Sequence, residues 1–134
     1  MVDEKEWLAS FMAIYEKSTP LIHVVSKLDA EGQPASLNDL ADAHYGFTHI
    51  LKSAKNLPTP KQRELKNIKN DFERTLASVI KAGEMAAKML DDIRAGSKLS
   101  SRMHYSSMVG YIGHASVYHS SLLRGFEKVG ITAV

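Results

Sequence analysis

Histidine is the residue type in this chain best suited to chemistry, and the 134 residues contain six of them. An imidazole can ligate a metal, accept a phosphoryl group or exchange protons near neutral pH. His44 and His119 fall on apolar helical stripes, whereas His49 and His114 fall off them. His44 with His49 and His114 with His119 form two His-x4-His pairs. Each pair places its two imidazoles about 140° apart on a helix, so neither can bind a metal from a single helix face.

Side chains on four different helices form a candidate metal site, because we expect them at a similar level along the axis of the bundle. Metal sites in bundle interiors are built from imidazoles and carboxylates that project inward from facing helices. The chain has no Glu-x-x-His pair, the usual marker of a di-iron bundle, and buried histidines bonded to hydroxyl groups are the alternative. A divalent metal is the one cofactor that the sequence suggests, and its predicted ligands are His23, His44, Glu73 and His119.

The segment FTHILKSAKNL, residues 47–57, places a histidine and a lysine about one helical turn apart. It resembles the central motif of histidine-containing phosphotransfer domains, in which Leu, Lys and Gly follow the histidine at +2, +3 and +4. The resemblance implies a four-helix bundle in which His49 accepts a phosphoryl group, Lys52 supports it, and a kinase or receiver domain is the partner. Ser53 stands where the family has its glycine.

A basic segment lies around the predicted turn between the second and third helices and suggests contact with nucleic-acid phosphates. No aromatic residue occurs between positions 48 and 71 to stack on bases, and the net charge of the whole chain is only +2. A solvated helix end is therefore favoured over nucleic-acid binding. The segment contains one acid, Glu64, among six basic residues: Lys52, Lys55, Lys61, Arg63, Lys66 and Lys69.

Several classes of function are excluded or disfavoured by missing residues. The chain has no cysteine, which excludes disulfides and thiolate metal sites. No Gly-x-Ser-x-Gly motif or glycine-rich phosphate loop is present, so nothing indicates hydrolytic or redox catalysis. The first residues are acidic without a signal-like apolar core, and no apolar run is long enough for a membrane span. The sequence therefore predicts a cytoplasmic protein without membrane association.

Apolar residues recur at spacings of three and four along the whole chain, which is the period of helices, and no segment alternates like a strand. We expect one domain over residues 1–134, an all-α antiparallel four-helix bundle. Pro20 should kink or split the first helix, and Pro60 should occupy the first turn of the third. The predicted helices cover residues 3–30, 36–56, 60–94 and 98–128.

The fourth predicted helix contains no charged residue between positions 103 and 121, and it carries small residues opposite its apolar seam. A helix that contacts protein on one side keeps charges on the other, so this pattern predicts protein contacts on both sides. We expect the hairpin of the third and fourth helices, over residues 80–112, to project beyond the second helix and to form a homodimer. The alternative is coverage by the first helix, bent at Pro20.

The sequence thus favours a non-enzymatic interaction module that associates with itself or with a protein partner. Phosphotransfer, metal binding and nucleic-acid binding remain the alternatives. The predicted interface residues are Met85, Met89, Ser106, Gly110, Gly113 and Val117.

Overall fold

A computed structural model describes residues 4–30 and 37–130, and it describes the side chains of residues 4–22 and 38–130. The described chain is helical with no strand, which confirms the predicted all-α bundle. Consecutive helices pack against one another, and the contact of the third with the fourth is the most extensive. The helices are α1 (Glu4–Ala30), α2 (Leu37–Lys55), α3 (Arg63–Ala95) and α4 (Lys98–Lys128).

Helix α1 runs through Pro20 as one element, so the proline does not split it. A proline cannot donate the backbone hydrogen bond to the preceding turn. Two hydroxyl groups bond to the backbone just before it: Ser18 Oγ donates to the carbonyl oxygen of Tyr15 at 2.5 Å, and Thr19 Oγ1 donates to the same oxygen at 3.4 Å. The buried hydroxyl group of Ser18 therefore has its hydrogen-bond partner within α1.

Helix α3 begins three residues later than predicted. Gln62 has an extended backbone and is the N-cap, so the buried Pro60 lies before the helix and not in its first turn. Its end is set by Gly96, whose φ of 73° lies in the left-handed region that favours glycine. The Gly96 N–H donates to the Ile93 carbonyl, and the Ser97 N–H donates to the Asp92 carbonyl. These two bonds form a Schellman motif, which turns the chain directly into α4.

An aromatic cluster from three helices forms the centre of the core. Phe11 of α1 meets Phe72 of α3 edge to face at 5.2 Å and Phe126 of α4 at 6.1 Å between ring centroids. Tyr15 packs against the same two rings. Trp7 is buried, and its Nε1 donates to the Pro58 carbonyl at 2.7 Å, which holds the α2–α3 connection against α1.

Helices α2 and α3 approach closely at Gly83. A Cβ added there would lie 2.5 Å from His44 Cβ and 2.9 Å from the Leu40 carbonyl oxygen. Helix α2 therefore reaches beyond residue 80 of α3, and the small residues of this part of α3 pack inside the chain. The predicted start of the uncovered part at residue 80 is therefore wrong, because α2 still contacts α3 at Gly83.

Helices α3 and α4 pair antiparallel over their whole length. Ser121 Oγ donates to Asp71 Oδ2 at 2.8 Å near one end, and His104 pairs with Asp92 near the other. The buried face of α3 extends from Leu65 to Met89, whereas Ile93 is 58% exposed close to the turn. Within the described residues, no helix combines the length and apolar character needed to cross a membrane.

Candidate functional site

The side of α4 that faces away from the core carries a stripe of six residues spaced alternately by four and three positions. We call these residues the outer stripe. Helical geometry places them on the face opposite the buried Met108, Ala115 and Leu122. Every member is exposed in the single chain: Leu99, Met103, Ser106, Gly110, Gly113 and Val117.

The outer stripe combines large apolar ends with a small centre. Leu99, Met103 and Val117 are 73%, 64% and 65% exposed, respectively. A Cβ added at Gly110 or Gly113 would meet no atom of the described residues within 4 Å, apart from the adjacent backbone of α4 itself. The described part of α1 therefore does not cover this face, and the surface has room for another helix at close range.

The exposed face of α3 provides a direct comparison. It carries Lys66, Arg74, Lys81, Lys88 and Asp91, as expected for a helix face in contact with water. The exposed face of α4 has no such residue between positions 103 and 121. Two adjacent helices of similar length thus differ in the chemistry of their outer faces, and α4 has the face typical of a contact surface.

The two predicted interface residues on α3 do not belong to this surface. Met89 is buried in the core at 6% exposure, and Met85 is partly buried against the core. Leu99 and Met103 take their place at the end of the hairpin. Leu99 precedes the uncharged segment, and Met103 begins it. Both residues could have been found in the sequence, because the alternate spacing of four and three continues from Ser106 back to Met103 and Leu99.

The predicted metal ligands that the structure describes lie in different environments and do not converge on one point. Glu73 Oε2 accepts a hydrogen bond from Lys69 Nζ at 2.9 Å, and His44 Nδ1 bonds to the Ala41 carbonyl. His119 is half-buried, and desolvation by burial lowers the pKa of its imidazole. Among the described residues, no three His, Asp or Glu side chains are placed to hold a metal ion. His23, the fourth predicted ligand, lies outside the described side chains.

His49 and Lys52, the residues singled out by the phosphotransfer resemblance, are both exposed on α2. Ser53, which replaces the glycine of that family, donates its hydroxyl to the His49 carbonyl oxygen at 3.3 Å. The imidazole of His49 is thus open to another protein, and phosphotransfer stays a prediction.

The basic residues of the α2–α3 segment separate into different environments. Lys69 pairs with Glu73, whereas Arg63 lines a polar cleft between α3 and α4 with a volume of about 540 Å³. Two further cations of this cleft, Arg124 and Lys128, come from α4. Sequence reasoning missed them, because no local pattern brings residues 63 and 128 together. Only the pairing of α3 with α4 does so.

No protein-family model matches the chain, and no curated protein or solved structure is significantly similar to it.

Proposed function

We propose that the protein is a non-enzymatic helical interaction module that associates with a second copy of itself through the outer stripe of α4. The observation that supports this function is the exposed, uncharged face of α4, from which the side chains of Leu99, Met103 and Val117 project. An apolar face of this extent on a single chain is typical of a protein contact.

The order of residues in the outer stripe is suited to a two-fold contact. If two α4 helices cross antiparallel with the symmetry axis at Gly110, Met103 of each copy faces Val117 of the other. In such an isologous contact every interaction off the axis occurs twice, so each favourable residue pair contributes twice to the free energy of association. The large residues then meet at both ends, while the glycines at the centre allow the helix backbones to approach closely.

The energy of this contact comes from apolar burial and close packing. Complete burial of a Leu, Met or Val side chain contributes about 1.5–3 kcal/mol. Dispersion contacts between the backbones at Gly110 and Gly113 add to it, because no side chain there keeps the second helix away. A contact through one helix pair is small compared with a permanent dimer interface, so we expect reversible association that depends on concentration.

The test is the mass in solution measured by sedimentation between about 1 and 500 µM, the range in which a small interface dissociates. We expect the wild-type mass to rise towards twice the 14.8 kDa of one chain. Gly110→Lys places a charge at the centre of the outer stripe and should keep the protein monomeric. Ala77→Lys, at an exposed position of α3, is the matched control and should associate like the wild type.

Far-UV circular dichroism and urea unfolding at low concentration establish that both variants retain the monomer fold. A wild-type protein that stays at the single-chain mass over the whole range would refute the proposal. Equal loss of association in both variants would refute the assignment to α4.

A further inference from the structure

We propose that the cleft between α3 and α4 binds a small phosphorylated polyanion, an organic di- or triphosphate. We call this site the basic cleft. It lies in the half of the hairpin distant from the α3–α4 turn, and its four cations are Arg63 and Arg74 of α3 with Arg124 and Lys128 of α4. The inference is independent of self-association through the outer stripe.

Contacts between α3 and α4 fix the walls of the basic cleft. Ser121 Oγ donates to Asp71 Oδ2 at 2.8 Å, and Arg74 Cζ lies 5.7 Å from the centre of the Tyr118 ring. Nearer the end of α4, the helices are so close that a Cβ on Gly125 would lie 3.0 Å from Ile68 Cγ1. The cleft is therefore a preformed groove of about 540 Å³, within the size range of small-molecule sites.

The charges of the basic cleft are not balanced within the chain. Four basic side chains face two acidic ones, Glu64 and Asp71, and none of the four forms an ion pair with any residue that the structure describes. Elsewhere on α3, Lys69 pairs with Glu73, Lys81 with Glu84 and Arg94 with Asp91, each three or four positions away, whereas Lys66 and Lys88 form no ion pair with a described residue. The cations of the cleft are therefore available to a ligand.

Two local features leave Arg74 of α3 without an ion pair, so that it can bind a ligand. Asp71 lies three positions before Arg74 and would be its natural partner on the helix. The Asp71 carboxylate instead accepts the hydroxyl of Ser121, and the Arg74 guanidinium lies over the Tyr118 ring. A guanidinium on an aromatic face keeps its charge and its N–H groups, so it can still bind phosphate oxygens.

The start of α3 adds to the positive potential at one end of the basic cleft. Arg63 is the first residue of the helix, and the Gln62 side chain does not cap it. The first backbone N–H groups of a helix have no partner within it and carry part of the positive end of the helix dipole. Phosphate groups are favoured at such a position when cationic side chains surround it.

The distribution of charge indicates a ligand with more than one phosphate. Arg63 and Arg74 are separated along α3 by about 16 Å, from the helical rise per residue, with the two α4 cations across the groove. A single phosphate cannot contact cations so far apart, whereas a di- or triphosphate with an organic group can. A nucleic-acid strand is less favoured, because no aromatic side chain of the described chain lines the cleft, and the nearby Tyr118 ring is already in contact with Arg74.

The experiment is isothermal titration calorimetry of the full chain with tripolyphosphate and with ATP, both free of magnesium. We expect saturable binding of one ligand per chain that weakens as salt increases. Arg74→Gln and Arg124→Gln should each weaken binding about tenfold, the usual effect of losing one charge-assisted hydrogen bond. Arg94→Gln, at the opposite end of α3 and outside the cleft, is the matched control and should bind within about twofold of the wild type.

Four outcomes would overturn the proposal. They are no saturable binding up to about 1 mM, an equal loss in Arg94→Gln, binding of sulfate as tight as that of tripolyphosphate, and tighter binding of a short RNA or DNA strand than of either polyphosphate. The last result would assign the surface to nucleic acid. All three substituted arginines are exposed, and circular dichroism of each variant verifies that the fold is intact.

Discussion

His104 Nδ1 lies 2.5 Å from Asp92 Oδ2, and this pair joins α4 to α3 next to the turn that connects them. Both side chains are largely buried, with 27% and 16% exposure, although the adjacent Ile93 and Met103 are exposed. The pair therefore fixes the first turns of α4, which carry Leu99 and Met103 of the outer stripe.

Asp92→Ala should lower the free energy of unfolding by about 1 kcal/mol, because the partly buried imidazole loses its hydrogen-bond partner. Amide exchange at residues 98–104 should become faster. Asp91→Ala is the control, since its carboxylate is 78% exposed and lies 3.7 Å from Arg94. It should change stability by less than about 0.5 kcal/mol. Equal effects of the two substitutions in urea unfolding would show that the Asp92–His104 pair contributes nothing to stability.

Two glycines in helices should respond to alanine with opposite signs. Gly83→Ala forces a Cβ against His44 and against the Leu40 backbone, so we expect a loss of about 1–3 kcal/mol. Gly113→Ala meets no atom and removes the backbone entropy of glycine, so the monomer should gain about 0.5–1 kcal/mol. Both values come from urea unfolding at low protein concentration. A destabilised Gly113→Ala monomer would contradict the open space on α4.

The aromatic cluster should be the most sensitive part of the core. Phe126 is fully buried and contacts the rings of Phe11 and Tyr15. Phe126→Ala should lower the free energy of unfolding by about 3–5 kcal/mol, through lost burial and the cavity that remains. Met103→Ala, on the exposed outer stripe, should leave monomer stability within about 0.5 kcal/mol. A similar loss in both variants in urea unfolding would contradict the distinction between core and outer stripe.

The sequence was sufficient to predict the four helices and most of the core, since apolar spacing depends only on helical geometry. Phe72, Val79 and Phe126 lie on such apolar stripes in the sequence and are buried. The register between helices could not be predicted, because it depends on how α2 and its connection to α3 pack as a whole. For this reason the sequence assigned the buried Met89 to the interface and did not identify the cleft between Arg63 and Lys128.

The outer stripe ends at Val117, and the α4 residues of the basic cleft begin at Ser121, so the functions of the two surfaces should be separable. Gly110→Lys should abolish association and leave the affinity for tripolyphosphate within about twofold. Arg124→Gln should weaken that affinity and leave the sedimentation profile unchanged. Calorimetry and sedimentation on the same two variants check both statements. Loss of both properties in either variant would mean that the two surfaces are coupled.

The stability of the protein should decrease as the pH falls, and His119 should contribute to this decrease. Burial lowers the pKa of the His119 imidazole below its ordinary value, because desolvation disfavours the charged form. The unfolded chain takes up a proton near the ordinary pKa of about 6.5, whereas the folded chain resists it. The free energy of unfolding should therefore fall as the pH is lowered through this value, and the loss should be complete below the folded-state pKa.

His119→Gln removes this titration, so the free energy of unfolding should depend less on pH between about 7.5 and 5.5 than in the wild type. Ser120→Ala, at the exposed neighbouring position without a titratable group, is the control and should keep the wild-type dependence. Urea unfolding at a series of pH values measures all three proteins. If the free energy of unfolding of His119→Gln and that of Ser120→Ala depend equally on pH, His119 does not contribute to the loss of stability at low pH.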